Sequence, residues 1–174
     1  NQMANYFESI GINRGKRTLL FVKPCLDFSV ITFALFKVGA IPVLIDPGMG
    51  MKNLLSSISQ VQPHAMISID LVHWVRRMKR GTFSSVKVNV FLDDLFFKLL
   101  QFSKDFQPVQ VSSEDHSAIL FTSGGTGIPK GVEYTHGILN AQTDVLQKLF
   151  DLTPSDVDLP GLPLFALFTL AMGM

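Results

Sequence analysis

The sequence predicts an α/β fold of three layers, a mostly parallel sheet with flanking helices. Three observations predict it: apolar runs of strand length recur along the chain, helical patterns of roughly ten or more residues separate them, and a Gly-rich loop directly follows one of the runs. Helix-length connections allow parallel pairing, because the chain must travel back along the sheet before the next strand starts.

In chain order, Met3, Tyr6, Phe7 and Ile10 fall at i, i+3, i+4 and i+7 and predict one apolar helical face that Gly11 terminates. Thr18 to Val22 is a continuous run between Arg17 and Lys23, as a strand covered on both faces requires. Phe28 to Val38 is apolar nearly all round, which predicts a buried helix ending at Gly39. Ile41 to Ile45 is the next strand, closed by the turn Asp46-Pro47-Gly48. Leu54, Leu55, Ile58 and Val61 make a helical stripe opposite Ser56, Ser57, Ser59 and Gln60, and Pro63 stops the element. Ala65 to Ile69 reads as a third strand. Leu71 to Arg80 reads as a helix whose Arg76, Arg77, Lys79 and Arg80 suit a solvated C-terminus, with a membrane-surface or nucleotide role as the alternative.

Val86, Val88 and Val90 alternate with Lys87 and Asn89, the pattern of a strand exposed on one side. Leu95, Phe96, Phe97, Leu99, Leu100 and Phe102 crowd a short helix. Core packing is its first reading, and docking on a further domain, an acyl chain or a bilayer surface is the alternative. Ser113 to Asp115 is a turn, Ala118 to Thr122 a buried strand, and Val132 to Thr135 a short strand. Ile138, Ala141, Val145, Leu146 and Leu149 then line one face of a closing helix.

At 174 residues the chain has the length of one ordinary domain. Its 47% hydrophobic and 17% charged residues suggest faces meant to be covered. A net charge of +1 gives no pull toward nucleic acid. Cys25 is the single cysteine, so no internal disulfide forms; it is expected to be packed, and a reducing, cytoplasmic location fits. The apolar region from Leu26 to Ile45 is interrupted by Asp27, Lys37, Gly39 and Pro42, which argues against a membrane span. His64, His73 and His116 lack partners at ligand spacing, so they define no metal site. Both chain ends, Asn1 and Met174, are expected to be cut ends.

The chemistry concentrates in Thr122-Ser123-Gly124-Gly125-Thr126-Gly127-Ile128-Pro129-Lys130-Gly131, where four glycines, three hydroxyls and one lysine share ten positions. Glycines let successive N–H groups turn into one concavity, hydroxyls add donors, and the lysine adds a mobile positive charge. A polyphosphate uses all three. The loop leaves the carboxyl end of a strand, where open α/β sheets bind ligands. The pattern G-x-x-x-x-G-K-[ST] fails, because Lys130 lies between Pro129 and Gly131. The fingerprint G-x-G-x-x-G fails as well, since Lys130 stands where it needs glycine.

The ten residues resemble the signature loop of the adenylate-forming, AMP-binding superfamily, T-S-G-[ST]-T-G-x-P-K-G, at nine of ten positions. Gly125 departs from it, standing where the family usually has a serine or threonine. The stretches Phe33 to Gly50 and Leu162-Pro163-Leu164-Phe165-Ala166-Leu167-Phe168 are similar to the olefin β-lactone synthetases, a branch close to the long-chain acyl-CoA ligases. Ala166 occupies the place where most acyl-CoA ligases carry a histidine.

The resemblance implies ATP and Mg²⁺, with the metal ligand outside this chain. A fatty carboxylate would become an acyl adenylate, and either a β-hydroxyl on the same substrate or coenzyme A would then displace AMP. By the same resemblance Thr122, Ser123, Gly124, Gly125, Thr126 and Gly127 would cradle the phosphates. Lys130 would be the catalytic cation over the β- and γ-phosphates, and Phe165 and Ala166 would line the acyl or carboxylate pocket. His136 follows the loop where the family often has histidine, and a structural role is preferred for it. Residues 1–174 would then be a partial N-terminal domain, whose main partner is the remainder of its own chain and which is inactive alone. A binding module that has lost its chemistry is the reading from another class.

Overall fold

Short runs too apolar for a surface become strands here, and longer periodic ones become helices. The computed structural model describes residues 1–69, 79–93, 95–122, 127, 129–159 and 166–174, with Phe96 and Ala166 described by backbone alone. The strands are β1 (Arg17–Phe21), β2 (Ile41–Ile45), β3 (Ala65–Ser68), β4 (Val88–Phe91), β5 (His116–Thr122) and β6 (Lys130–Thr135). The helices are α1 (Gln2–Ser9), α2 (Leu26–Lys37), α3 (Met51–Val61), α4 (Leu95–Leu99), α5 (His136–Leu149) and α6 (Ala166–Ala171).

One six-stranded sheet runs in the order β4-β3-β1-β2-β5-β6. Every pairing is parallel except the last, in which β6 returns antiparallel along β5. The mostly parallel, three-layer expectation is therefore met. On one face α1, α2 and α4 bury Phe7, Ile31, Leu35 and Leu95 against Leu20, Ile67 and Val90 of the sheet. On the other, Ile58 and Val61 of α3 pack on Leu19, Val43, Met66, Ile119 and Phe121. Fully burying one such side chain contributes roughly 1.5–3 kcal/mol. Connections running toward β6 cross the α2 face and the β2-to-β3 connection crosses the α3 face, so the crossovers share one hand.

Several expectations need correction. Helix α2 is not buried all round: Leu26 and Val30 are exposed while Phe28, Ile31, Thr32, Ala34 and Leu35 are buried, because the sheet covers only one side. Cys25 is exposed; it sits at the N-cap position of α2, on the rim above the strand ends and not in the core. Ser57 lies on the buried side of α3, where its hydroxyl donates to the Asn53 carbonyl at 3.0 Å and so meets its hydrogen-bonding need locally. Val86 precedes β4 and joins the α3-side core, whereas Val90 joins the α2-side core.

Short helix α4 divides its apolar residues, with Leu95 at 0% exposure and Phe97 at 81%. Of the stripe expected for α5, Leu146 alone faces the protein. Ile138, Ala141, Val145 and Leu149 are exposed, and it is Leu139, Thr143 and Leu146 that turn toward the protein. The helix expected over Leu71 to Arg80 lies largely outside the described residues; Lys79 and Arg80 are exposed in a turn. Among the described residues no helix is long and apolar enough to cross a membrane.

Candidate active site

Strand β5 is held on both sides, which makes its carboxyl end a firm base for the loop that follows. Val43, Leu44 and Ile45 pair with Ile119, Leu120 and Phe121 on one edge, and β6 pairs along the other. Thr122 and Lys130 are Cα partners across β5 and β6, so the signature loop leaves and re-enters the sheet at one cross-strand pair. Lys130 opens β6, two residues earlier than the strand expected from Val132. Alternation along the strands puts Thr122 and Lys130 on the face shared by Leu120 and Val132, and both are exposed.

Of the predicted phosphate-binding residues, Thr122, Gly127 and Lys130 are described, and Ser123, Gly124, Gly125 and Thr126 lie outside the described residues. Gly127 has φ +78° with open space around it, so the backbone conformation, not crowding, calls for glycine there. Of the two predicted substrate residues, Phe165 lies outside the described residues and Ala166 opens α6. The next two residues, Leu167 and Phe168, line an apolar cavity of about 140 Å³ bounded also by Phe33, Phe36, Leu120, Tyr134, His136 and Leu139.

A larger cleft of about 710 Å³ opens at the carboxyl ends of β1, β2 and β5. The chain leaves β1 toward the α2 face and leaves β2 toward the α3 face, and this divergence opens a crevice between the two strand ends. Lys23 and Asp46 are its charged lining residues. Asp46 Oδ1 accepts the Gly48 N–H at 2.8 Å, which fixes the turn at the exit of β2. The turn was legible in the sequence. Its place at the rim of a cleft was not, because the cleft depends on which strands become neighbours.

His136 starts α5. Its N–H donates to the Asp115 carbonyl oxygen at 3.0 Å, and its ring meets Phe36 edge-on with centroids 6.0 Å apart. Burial holds its pKa below the usual histidine value, and the nearby Asp115 carboxylate opposes that shift in part. Asp115 accepts from Ser112 N–H at 2.9 Å and from Arg14 at 2.6 Å. The Ser112 hydrogen bond, with the Arg14 guanidinium adding to it, holds its carboxyl below the usual range. These partners suit a residue that anchors the start of α5. Among the described residues no group of three or more His, Cys, Asp or Glu side chains could hold a metal ion.

A Gly-rich loop at the end of a central strand, beside a cleft at the strand ends, marks the class of protein. The family described as AMP-binding enzyme matches the chain over residues 1–174, and the chain belongs to it. The chain is 39% identical over 173 residues to an olefin β-lactone synthetase of Xanthomonas campestris pv. campestris, covering 94% of this chain and 31% of that protein. It is 38% identical over 180 residues to an olefin β-lactone synthetase of Stenotrophomonas maltophilia, covering 99% and 33%. It thus spans about a third of the length of the curated relatives it matches. Its fold is that of a long-chain-fatty-acid-CoA ligase (FadD1) from Archaeoglobus fulgidus, with a TM-score of 0.84 at 24% identity over 99% of this chain and 36% of that one.

Proposed function

We propose that this chain supplies the ATP-phosphate site of an enzyme that activates a fatty, β-hydroxy carboxylic acid and closes it to a β-lactone. In the first step a carboxylate oxygen attacks the α-phosphorus of ATP, and pyrophosphate leaves. In the second, the substrate's own β-hydroxyl attacks the acyl carbon, its proton is lost, and AMP leaves. Carboxylate and ATP are both anions, so the protein must offset their repulsion and hold the leaving group in line. Thr122, Ser123, Gly124, Gly125, Thr126 and Gly127 would donate to the phosphates, and Lys130 would carry the compensating charge. Mg²⁺ bound with ATP would neutralise further phosphate charge.

The observation that carries this reading is the loop's attachment: a residue of a buried strand, Thr122, and a cation, Lys130, face each other across its mouth. The lactone step is supported by the likeness to olefin β-lactone synthetases. The cavity beside Leu167 and Phe168, at about 140 Å³, has room for the end of an acyl chain and not for a long chain entire. Phe165 and Ala166, which precede those two residues in the sequence, would contribute to the acyl or carboxylate pocket. On this reading residues 1–174 are part of a larger N-terminal domain, cytoplasmic, with the remainder of the polypeptide as principal partner.

The test is made on the complete protein. Lys130→Ala should lower ATP–pyrophosphate exchange by roughly 10²- to 10³-fold, the cost of removing one preorganised charge contact. Unchanged exchange would remove the loop from the mechanism, and absence of exchange in the wild type would favour a binding module, the reading to which Gly125 lends weight. Incubation with a 2-alkyl-3-hydroxy acid and ATP, without coenzyme A, should yield lactone. A thioester formed only when coenzyme A is added would favour an acyl-CoA ligase, the reading that the shared fold supports.

A further inference from the structure

We propose that Gly131 is a positioning residue, the point at which β6 is pressed against β5 so that Lys130 sits opposite Thr122. The inference rests on the phosphate-site reading above. Gly131 is the Cα partner of Phe121, and Phe121 and Gly131 are the immediate neighbours of Thr122 and Lys130. A Cβ built on Gly131 would lie 3.1 Å from Phe121 Cζ, 3.3 Å from Phe121 Cε2 and 3.3 Å from Ile119 Cγ2. All three distances are tighter than most side-chain carbons adopt, so a neighbour must give by a few tenths of an ångström. Phe121 and Ile119 are both buried in the core under α3, which limits how far either can yield, and the open side of Phe121 is the cleft at the strand ends.

Strand β6 is the weaker side. It is the edge of the sheet, Lys130, Gly131, Val132 and Glu133 are exposed, and its ladder is made to β5 alone. A side chain at Gly131 would therefore lift β6 and leave β5 in place. Because Lys130 is the next residue, the lift is delivered to the cation at the loop's mouth. Gly127 and Gly131 are thus glycines for different reasons, one for its backbone angle and one for the absence of a side chain. A strand with no such constraint would favour alanine over glycine, so the two accounts predict opposite signs.

The experiment compares wild type, Gly131→Ala and the double variant Phe121→Leu/Gly131→Ala in the complete protein. Leucine removes the ring atoms that the new methyl group would meet. Gly131→Ala should lower kcat for pyrophosphate exchange at least tenfold, with KM for the acid little changed and the thermal midpoint within a few degrees of wild type. The double variant should recover most of the rate. Wild-type rates in Gly131→Ala, or a double variant no better than the single one, overturn the proposal. If Gly131→Ala does not fold, a folded and active double variant supports the contact, and an unfolded one overturns it. If wild type itself shows no exchange, the phosphate-site reading fails, and amide exchange decides the positioning claim separately. Faster exchange over Lys130–Thr135 in Gly131→Ala, slowed again in the double variant, supports it; unchanged exchange overturns it.

Discussion

His136 and Asp115 lie next to each other at the start of α5, yet burial and ion pairing act on them differently. The folded protein holds His136 below the ordinary value of 6.5, so folding favours its neutral form. That contribution is complete above 6.5 and is lost as the pH falls through the lowered folded value, where the unfolded chain binds the proton more readily. The ring is only partly enclosed, and solvent screening keeps the effect modest. The thermal midpoint of wild type should bend downward below pH 6.5, and His136→Asn should flatten that bend. Some slope should survive in the variant, because desolvation, aided by Lys16 and Lys87, lowers His64 as well. Superimposable midpoint-versus-pH curves would assign the slope elsewhere. Asp115 works in a lower window, since its stabilisation is present above the ordinary 3.8 and disappears on further acidification.

At the scale of elements, what an apolar residue contributes is decided by the side of the helix that the sheet covers. Leu95 and Phe97 stand two positions apart in α4, one fully buried and the other 81% exposed. Leu95→Ala should cost roughly 2–5 kcal/mol in chemical denaturation, and Phe97→Ser should stay within about 0.5 kcal/mol of wild type. Equal costs would mean that Phe97 is covered in solution.

Periodicity found the existence of α1, α3 and α5, because an i, i+3, i+4 pattern needs only local geometry, and α2 and α4 were legible as dense apolar runs. It placed only Leu146 correctly on the covered face of α5, which carries two apolar stripes of helical spacing. Ile138, Val145 and Leu149 form one, and Leu139 and Leu146 belong to the other. Nothing local distinguishes them. Ser57 was misassigned for the related reason that a hydroxyl satisfied by its own helix can be buried at little cost.

Across the whole molecule, strand order sets both rigidity and the location of the cleft. The strands β1, β2, β3 and β5 are each paired on two sides, whereas β4 and β6 are edges. Amide hydrogen exchange should be slowest in Leu19, Leu20, Val43, Leu44 and Ile119, and faster along β4 and β6. Protection of β6 equal to that of β2 would show that its outer edge is covered. The strands that flank the Gly-rich loop therefore differ, β5 being paired on two sides and β6 on one.

From its residues alone this chain declared a mostly parallel α/β sheet, the positions of most of its strands, and a Gly-rich loop after the strand ending at Thr122, the loop proposed to bind phosphate. Those are statements about local chemistry: strand-length apolar runs, turn residues, and glycines grouped with hydroxyls and a lysine. Tertiary structure alone decided that β6 returns antiparallel, that Thr122 faces Lys130, that Phe121 lies over Gly131, and that the chain diverges after β1 and β2 to open a cleft. Each of these joins residues whose neighbourhood depends on how strands are ordered, and strand order is settled by the packing of two opposite cores.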